Sequence, residues 1–231
     1  QGQAGRFGYF VISVDWCKSE QTEYEYSARE HAAVLAALRD ACRRFSIDTD
    51  RVFLSGHSMG GDAAWDIGLA HPDLWAGVIP IIAFADRYAF HTWENGRPVP
   101  IYVVSGELDG AKERWVNLAT RVLDRLLRKN ADLTVVEFQG RGHDGFSDEI
   151  LRIFDWMGRK ERNFFPKEVK STVMRPWDNF HWWLEAKLDE ESKGMLLPED
   201  WPPHRGYQPL RISGAIRGAY ADVLPPGRHP A

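Results

Sequence analysis

The chain has 231 residues, of which 44% are hydrophobic and 27% are charged, and its formal net charge is −4 at pH 7. This length suits one α/β domain with a sizeable core, or one domain and an appendage. Lysine and arginine are scattered, which excludes a basic stripe for nucleic acid, and no apolar run approaches the ~20 residues that cross a bilayer. We therefore expect a soluble protein that acts on small or neutral substrates, in a compartment that stays undetermined.

The predicted elements alternate between strands and helices through the first two thirds of the chain. Residues 8–16, GYFVISVDW, are typical of a strand buried on both faces. A capping box at Ser27 and Glu30 then begins a helix of about four turns. Further strands are expected at 51–55, 77–84, 100–106 and 133–138, and further helices at 59–70, 111–129 and 147–157. This alternation predicts a mostly parallel sheet with helices on both faces and ligands beyond the carboxyl ends of its strands.

The alternation ends near residue 159, which predicts a core of residues 1–158 and a C-terminal extension of residues 159–231. Within the extension, EVKSTVM at 168–174 could form a strand. Residues 197–231 are rich in Pro, Gly and Arg, which is typical of a poorly ordered or surface-hugging tail.

The cysteines and histidines indicate no metal site. Cys17 and Cys42 are too few for a disulfide framework and lack zinc spacing, and the histidines lack metal-ligand spacing. One structural disulfide and two buried thiols both remain open for the cysteine pair.

A G-x-S-x-G pattern, Gly56-His57-Ser58-Met59-Gly60, lies between a predicted strand and a predicted helix. A serine in so tight a turn adopts strained backbone angles, and side chains at the two flanking glycine positions would collide with neighbouring backbone. The Ser58 hydroxyl would then project from the sheet edge, and the Met59 amide could point toward a developing oxyanion. An ordinary Gly-Ser turn also matches this pattern. A catalytic role for Ser58 therefore depends on whether an acid and a histidine follow it at the same sheet edge.

Two later loops supply the partners that such a serine needs. Asp109 follows the strand PIYVVSG, and His143 follows the strand LTVVEF, so both are expected at the same sheet edge as Ser58. The order predicts a Ser58-His143-Asp109 catalytic triad. Glu107 is the rival acid, and Asp144 is interpreted as a solvated loop charge.

Aromatic residues and one histidine are candidates for substrate contacts. The loop after the strand at 77–84 could form an aromatic wall, although core packing explains its residues equally well. The candidates in this wall are Phe84, Tyr88, Phe90 and Trp93. Trp16, the last residue of the first predicted strand, and His57, inside the glycine-serine pattern, complete the set, with local packing or hydrogen bonding as the alternative for His57.

The segments IDTDRVFLSGHSMGG, PIYVVSGELDG and FQGRGHDGF resemble the α/β-hydrolase superfamily, and within it the esterase and prolyl-oligopeptidase-like branch that includes feruloyl and polyester esterases. The resemblance covers residues 8–158. It implies hydrolysis through an acyl-enzyme, with His143 as general base and then general acid and Asp109 fixing the imidazole tautomer. This route requires no cofactor.

The chain departs from that family before residue 8, where the family has three strands and an oxyanion loop. The family's second oxyanion donor comes from this loop, and its third strand would lie between 8–16 and the strand before Ser58. Three explanations stay open: a fragment, a shortened variant, or a strand borrowed from a partner protomer or from residues 168–174.

The leading hypothesis is a serine carboxylic-ester hydrolase acting on small-molecule or polymeric esters with an apolar or aromatic part. The alternatives are a serine peptidase or amidase and a non-catalytic binding protein with the hydrolase fold. A homo-oligomer formed by strand exchange is a further hypothesis, whereas nucleic acid and a membrane span are not expected.

Overall fold

A four-stranded parallel sheet forms the centre of the molecule. The computed structural model describes residues 2–110 and 112–186, together with the backbone of residues 210–215. The strands are β1 (Phe53–His57), β2 (Gly77–Ile81), β3 (Ile101–Gly106), β4 (Leu133–Phe138), β5 (Glu168–Val173), β6 (Phe180–His181), β7 (Leu184–Glu185) and β8 (Leu210–Ala215). The α-helices are α1 (Gly2–Arg6), α2 (Ala28–Arg44), α3 (Met59–Ala70), α4 (Ala89–Thr92), α5 (Lys112–Leu118), α6 (Asp124–Arg128) and α7 (Ile150–Met157). A π-helical turn, Ala119–Leu123, joins α5 to α6, and 3₁₀ turns occur at Thr49–Arg51, Trp93–Gly96, Ser147–Glu149 and Pro176–Asp178.

Helices cover both faces of the sheet, whose strand order is β1-β2-β3-β4. Neighbouring side chains of a strand point to opposite faces, so one strand contributes to two cores. Val78 of β2 packs with α2 and α3, and Ile79 packs with α1 and α7. The predicted α/β architecture is confirmed. The capping box that begins α2 is also present, because Ser27 and Glu30 bond to each other's backbone N–H groups.

The strand predicted at residues 8–16 is wrong, because this segment joins none of the sheets of the described chain. Its side chains at Phe10 and Val11 are 65% and 56% exposed. A strand requires a neighbour for its backbone N–H and C=O groups. The pattern indicated an apolar, β-prone segment correctly, but β1 is the end strand of the sheet and does not pair with it.

Residues 168–174 do not take the place beside β1 either. They contain β5, which pairs antiparallel with β8 rather than with the central sheet. Asn95 fixes β5 to the core, since its side chain accepts from the Thr172 N–H at 2.7 Å and donates to the Thr172 carbonyl at 2.9 Å. Of the three explanations for the missing strand, the one in which residues 168–174 supply it is therefore excluded. The predicted tail at 197–231 lies outside the described residues, apart from the backbone of β8.

A buried polar cluster, here called the Asp66 cluster, joins α2 and α3 to the segment after β5. It consists of Asp66, Tyr24, His31 and Arg175. One carboxylate oxygen of Asp66 lies 2.8 Å from the Tyr24 hydroxyl, 2.8 Å from His31 Nε2 and 2.8 Å from Arg175 Nη1. Burial alone would raise the pKa of Asp66, but the Arg175 guanidinium and the His31 imidazole hold it well below its ordinary value. The Asp66 cluster therefore connects α2, α3 and the segment after β5 through buried hydrogen bonds and ion pairs.

Candidate functional site

The turn between β1 and α3 holds Ser58 in a strained conformation. Ser58 has φ 55° and ψ −121°, outside the regions that residues other than glycine prefer. Its backbone N–H donates to the Ile81 carbonyl at 2.9 Å, which anchors the turn to the end of β2. Met59 is the first residue of α3. The turn therefore presents the serine side chain at the carboxyl edge of the sheet.

The glycines near Ser58 allow the turn and α3 to pack closely. A Cβ on Gly56 would lie 1.9 Å from the Gly60 carbonyl oxygen, so a side chain is excluded there, as the sequence predicted. The same prediction for Gly60 is wrong, because a Cβ at that position meets nothing within 4 Å. Gly61 carries the second constraint, since a Cβ there would lie 2.4 Å from the Cβ of Ala83. The tight contact is between α3 and the segment after β2.

The three residues of the expected triad lie together at this edge. His143 Nε2 is 2.9 Å from Ser58 Oγ, and His143 Nδ1 is 3.4 Å from Asp109 Oδ1. The His143 side chain is 51% exposed, whereas that of Asp109 is 16% exposed. The second distance is long for a hydrogen bond. The imidazole thus connects the hydroxyl to a carboxylate, and solvent can reach it.

The two other acids considered have different partners. The Glu107 carboxylate accepts from the Gly140 N–H at 2.8 Å and so ties the end of β3 to the loop before His143. The Asp144 carboxylate pairs with Arg141 at 2.9 Å and accepts from the Gly145 N–H at 2.7 Å. These bonds, the Gly145 N–H first, lower the pKa of Asp144.

A cavity of about 630 Å³ opens above the three residues. Its walls combine aromatic side chains with a charged bridge in which Arg114 lies between two carboxylates. Arg114 Nη2 is 2.9 Å from Asp62 and 2.6 Å from Asp86, and its guanidinium lies 4.5 Å from the Phe84 ring centre. Burial raises the pKa of Asp62, although the Phe84 N–H and Arg114 act in the opposite direction. This cavity, here called the main cavity, is both polar and aromatic.

Sequence patterns did not indicate the charged bridge. Asp62 is in the first turn of α3, Asp86 follows β2, and Arg114 is on α5, so only the fold brings them together. The loop before α2 was also missed, although Thr22, Glu23, Tyr24 and Tyr26 line the main cavity. The position of Asp62, one helical turn after Ser58, was the sequence signal that could have indicated its place beside the site.

The expected substrate-contact residues fall into two groups. Phe84, Phe90 and Met59 line the main cavity. Tyr88 is buried in the core, with the Arg175 guanidinium 4.3 Å from its ring centre, and Trp93 packs in the core beside α5 and α6.

Trp16 and His57 make contacts around the site. Trp16 packs edge-on against Tyr24, with ring centres 5.7 Å apart, and so supports the cavity wall from behind. The His57 ring lies 5.5 Å from the His143 ring, and His57 Nε2 is 2.8 Å from the Asp144 carbonyl oxygen. Local hydrogen bonding, the alternative for His57, is therefore observed.

Neither metal ligands nor a membrane-crossing helix are found in the described part of the chain. No group of three or more His, Cys, Asp or Glu side chains in residues 2–110 and 112–186 is arranged to hold a metal ion. None of the described helices is long and apolar enough to cross a membrane. Cys17 and Cys42 are both free thiols.

No protein-family model matches the chain, and no curated protein matches it. Solved structures with a similar arrangement include a thermostable esterase, 22% identical over 56% of this chain and 36% of its own, with a TM-score of 0.46. The S-formylglutathione hydrolase FrmB from Staphylococcus aureus is 15% identical over 63% of this chain and 66% of its own, with a TM-score of 0.43. A Bacillus cereus carboxylesterase is 17% identical over 56% of this chain and 59% of its own, with a TM-score of 0.41. The chain thus spans between about a third and two thirds of the length of these proteins.

Proposed function

We propose that this protein is a serine hydrolase of the α/β-hydrolase type that cleaves carboxylic esters through an acyl-enzyme. The observation that carries the proposal is the contact of 2.9 Å between Ser58 Oγ and His143 Nε2 at a strained turn. A serine hydroxyl is a weak nucleophile near neutral pH until an adjacent base takes its proton. The backbone conformation of Ser58 is energetically costly, and the His143 imidazole lies beside its hydroxyl. This combination supports a catalytic rather than a structural role for the serine.

Each side chain then has one role in the proposed reaction. His143 takes the proton of Ser58 as the oxygen attacks the ester carbonyl, and later donates it to the leaving alcohol. Asp109 holds the imidazole tautomer and stabilises the imidazolium that forms. The N–H of Met59, at the start of α3, donates to the oxyanion, because the first amides of a helix have no partner within it. Water then hydrolyses the acyl-enzyme by the same steps.

The lining of the main cavity bears on which part of the substrate is apolar and on its charge. Phe84 and Phe90 offer aromatic surface to an apolar part of a substrate. Several charged groups also line the cavity, and Arg114 is already paired with Asp62 and Asp86. A neutral ester with an apolar or aromatic part therefore fits this wall better than a strongly charged one.

Labelling by a fluorophosphonate tests the proposal, because the reagent reacts with activated serines. We expect one label on Ser58, identified by peptide mass, and none on the variant Ser58→Ala at an unchanged melting temperature. Ser55→Ala is the matched control, since Ser55 lies on β1 and its hydroxyl donates to the Ile79 carbonyl. Its labelling should equal that of the parent chain. A folded parent chain that stays unlabelled would identify a non-catalytic protein instead.

Two substrate series separate esterase from amidase activity. We expect hydrolysis of p-nitrophenyl acyl esters and little or no hydrolysis of peptide p-nitroanilides. Activity on the anilides without activity on the esters would overturn the ester assignment while leaving Ser58 as the nucleophile.

A further inference from the structure

A second cavity lies on the other side of Asp109. It has a volume of about 300 Å³ and lies between the ends of β2, β3 and β4 and helix α5. Ile82, Phe84 and Asp109 line both this cavity and the main cavity. The two spaces therefore meet along a shared wall that includes the acid of the proposed triad.

The second cavity is mainly apolar. Its apolar lining residues include Trp115 and Val116 of α5 and Ala83 and Phe84 of the segment after β2. Val116 is 57% exposed, so more than half of this apolar residue's surface is in contact with water. An apolar group seated here would remove that surface from water, which is favourable by ~25 cal/mol per Å².

The charges at the edge of the second cavity are mostly negative. Glu107, Glu137 and Asp109 contribute carboxylates, and Lys112 contributes one cation. Glu107 is bonded to the Gly140 N–H and so is held in place. A ligand group with a carboxylate would be repelled, whereas a neutral apolar group would not.

The backbone at the shared wall is strained. Ile82 has φ 51°, which is an outlier for a β-branched residue, and its N–H donates to the Val104 carbonyl at 2.8 Å. Strain of this kind persists only where the surrounding structure enforces it, and it concentrates at binding and catalytic sites. The segment that separates the two cavities is therefore held in a defined position.

We propose that the second cavity, here called the Trp115 pocket, binds a neutral apolar group of the ester while the ester carbonyl lies at Ser58 in the main cavity. This inference rests on the proposed function. The volume is at the lower end of the ~300–1,000 Å³ of small-molecule pockets, so it suits a medium-length alkyl group or a single ring. The substrate class becomes uncharged esters with one such group.

Filling the pocket from its exposed side tests this inference. In Val116→Trp the new ring should occupy the pocket, and exposure of the position favours normal folding. We expect kcat/KM for p-nitrophenyl octanoate to fall ~10-fold, the loss of about two buried methylenes, with p-nitrophenyl acetate changed less than ~2-fold. Leu127→Trp is the matched control, because Leu127 is 56% exposed on α6 and away from the pocket. It should keep the profile of the parent chain.

A charge comparison and a binding measurement complete the test. The parent chain should prefer a p-nitrophenyl butyrate to the anionic hemisuccinate of similar length. Calorimetry with 1-octanol on Ser58→Ala should show binding that Val116→Trp weakens, and this measurement is independent of catalysis. Equal chain-length profiles for Val116→Trp and the parent chain, or octanol binding unaffected by the substitution, would overturn the pocket assignment even if the esterase activity is present.

Discussion

Two histidine–aspartate pairs occupy opposite environments in this protein. His31 and Asp66 are buried, each about 1% exposed, and lie 2.8 Å apart. His143 and Asp109 lie 3.4 Å apart, and the imidazole is 51% exposed beside Ser58. The residue types are the same, so the surroundings decide what each pair can do.

In the buried pair, one Asp66 oxygen and both imidazole nitrogens are bound by groups of the core. Asp66 also contacts Tyr24 and Arg175, and His31 Nδ1 lies 3.2 Å from His71 Nε2. The exposed pair has a hydroxyl on one side and a cavity above it. A histidine–aspartate pair is therefore informative about catalysis only when a nucleophile and access for substrate accompany it. Three predictions test this contrast.

The largest expected effect concerns the exposed acid. In Asp109→Asn the amide can no longer stabilise the imidazolium, and we expect kcat to fall ~10³-fold to 10⁴-fold with p-nitrophenyl esters. The melting temperature should change little, because the carboxylate lines the two cavities and the substitution keeps the size of the side chain. In the control Glu107→Gln, kcat should stay within ~10-fold. Equal losses in the two variants would move the role of the acid to Glu107 or to both residues.

A smaller effect, on stability, is expected for the buried acid. Asp66→Ala leaves Arg175 in the core with the Asp178 carboxylate, 3.0 Å away, as its remaining acidic partner. Breaking a buried ion pair from one side typically costs ~3–5 kcal/mol of unfolding free energy. Urea denaturation should detect this loss, while Asp40→Ala, which removes the exposed pair with Arg44, should cost less than ~1 kcal/mol. A change below that limit in Asp66→Ala would show that the cluster contributes little to stability.

The smallest expected effect is on the acid dependence of stability. The pKa of Asp66 is lower in the folded chain than in the unfolded chain. As the pH falls, the Asp66 carboxylate is therefore protonated in the unfolded chain before it is protonated in the folded chain. The stabilisation is present above the unfolded pKa of about 4 and is lost as the pH falls toward the folded value. Denaturation midpoints measured from pH 6 to pH 3 should fall less steeply for Asp66→Asn than for the parent chain. Parallel curves would show that Asp66 makes no net contribution to acid stability.

Local sequence signals determined the elements that depend on neighbours in the chain. Ser27 and Glu30 lie three residues apart and cap α2 by themselves, and the apolar runs of β1 to β4 correspond to strands. The glycine-serine pattern also located the turn, because its strain arises within a few residues. These features follow from backbone sterics and periodicity, which act over short distances.

Long-range contacts decided the features that the sequence did not predict. Residues 8–16 had a strand pattern but no neighbouring strand, and residues 168–174 pair with β8 rather than β1. Which glycine limits the packing of α3 depended on the approach of Ala83, which moved the constraint from Gly60 to Gly61.

The order of serine, aspartate and histidine along the chain by itself predicted that the three would meet, since the carboxyl ends of parallel strands share one edge. Only the tertiary structure decided what surrounds them: the Arg114 bridge, the two cavities and the contrast with the buried Asp66. The physical reason is that chain order fixes which strand ends are available. The packing of helices and loops over those ends brings together side chains that no local pattern connects.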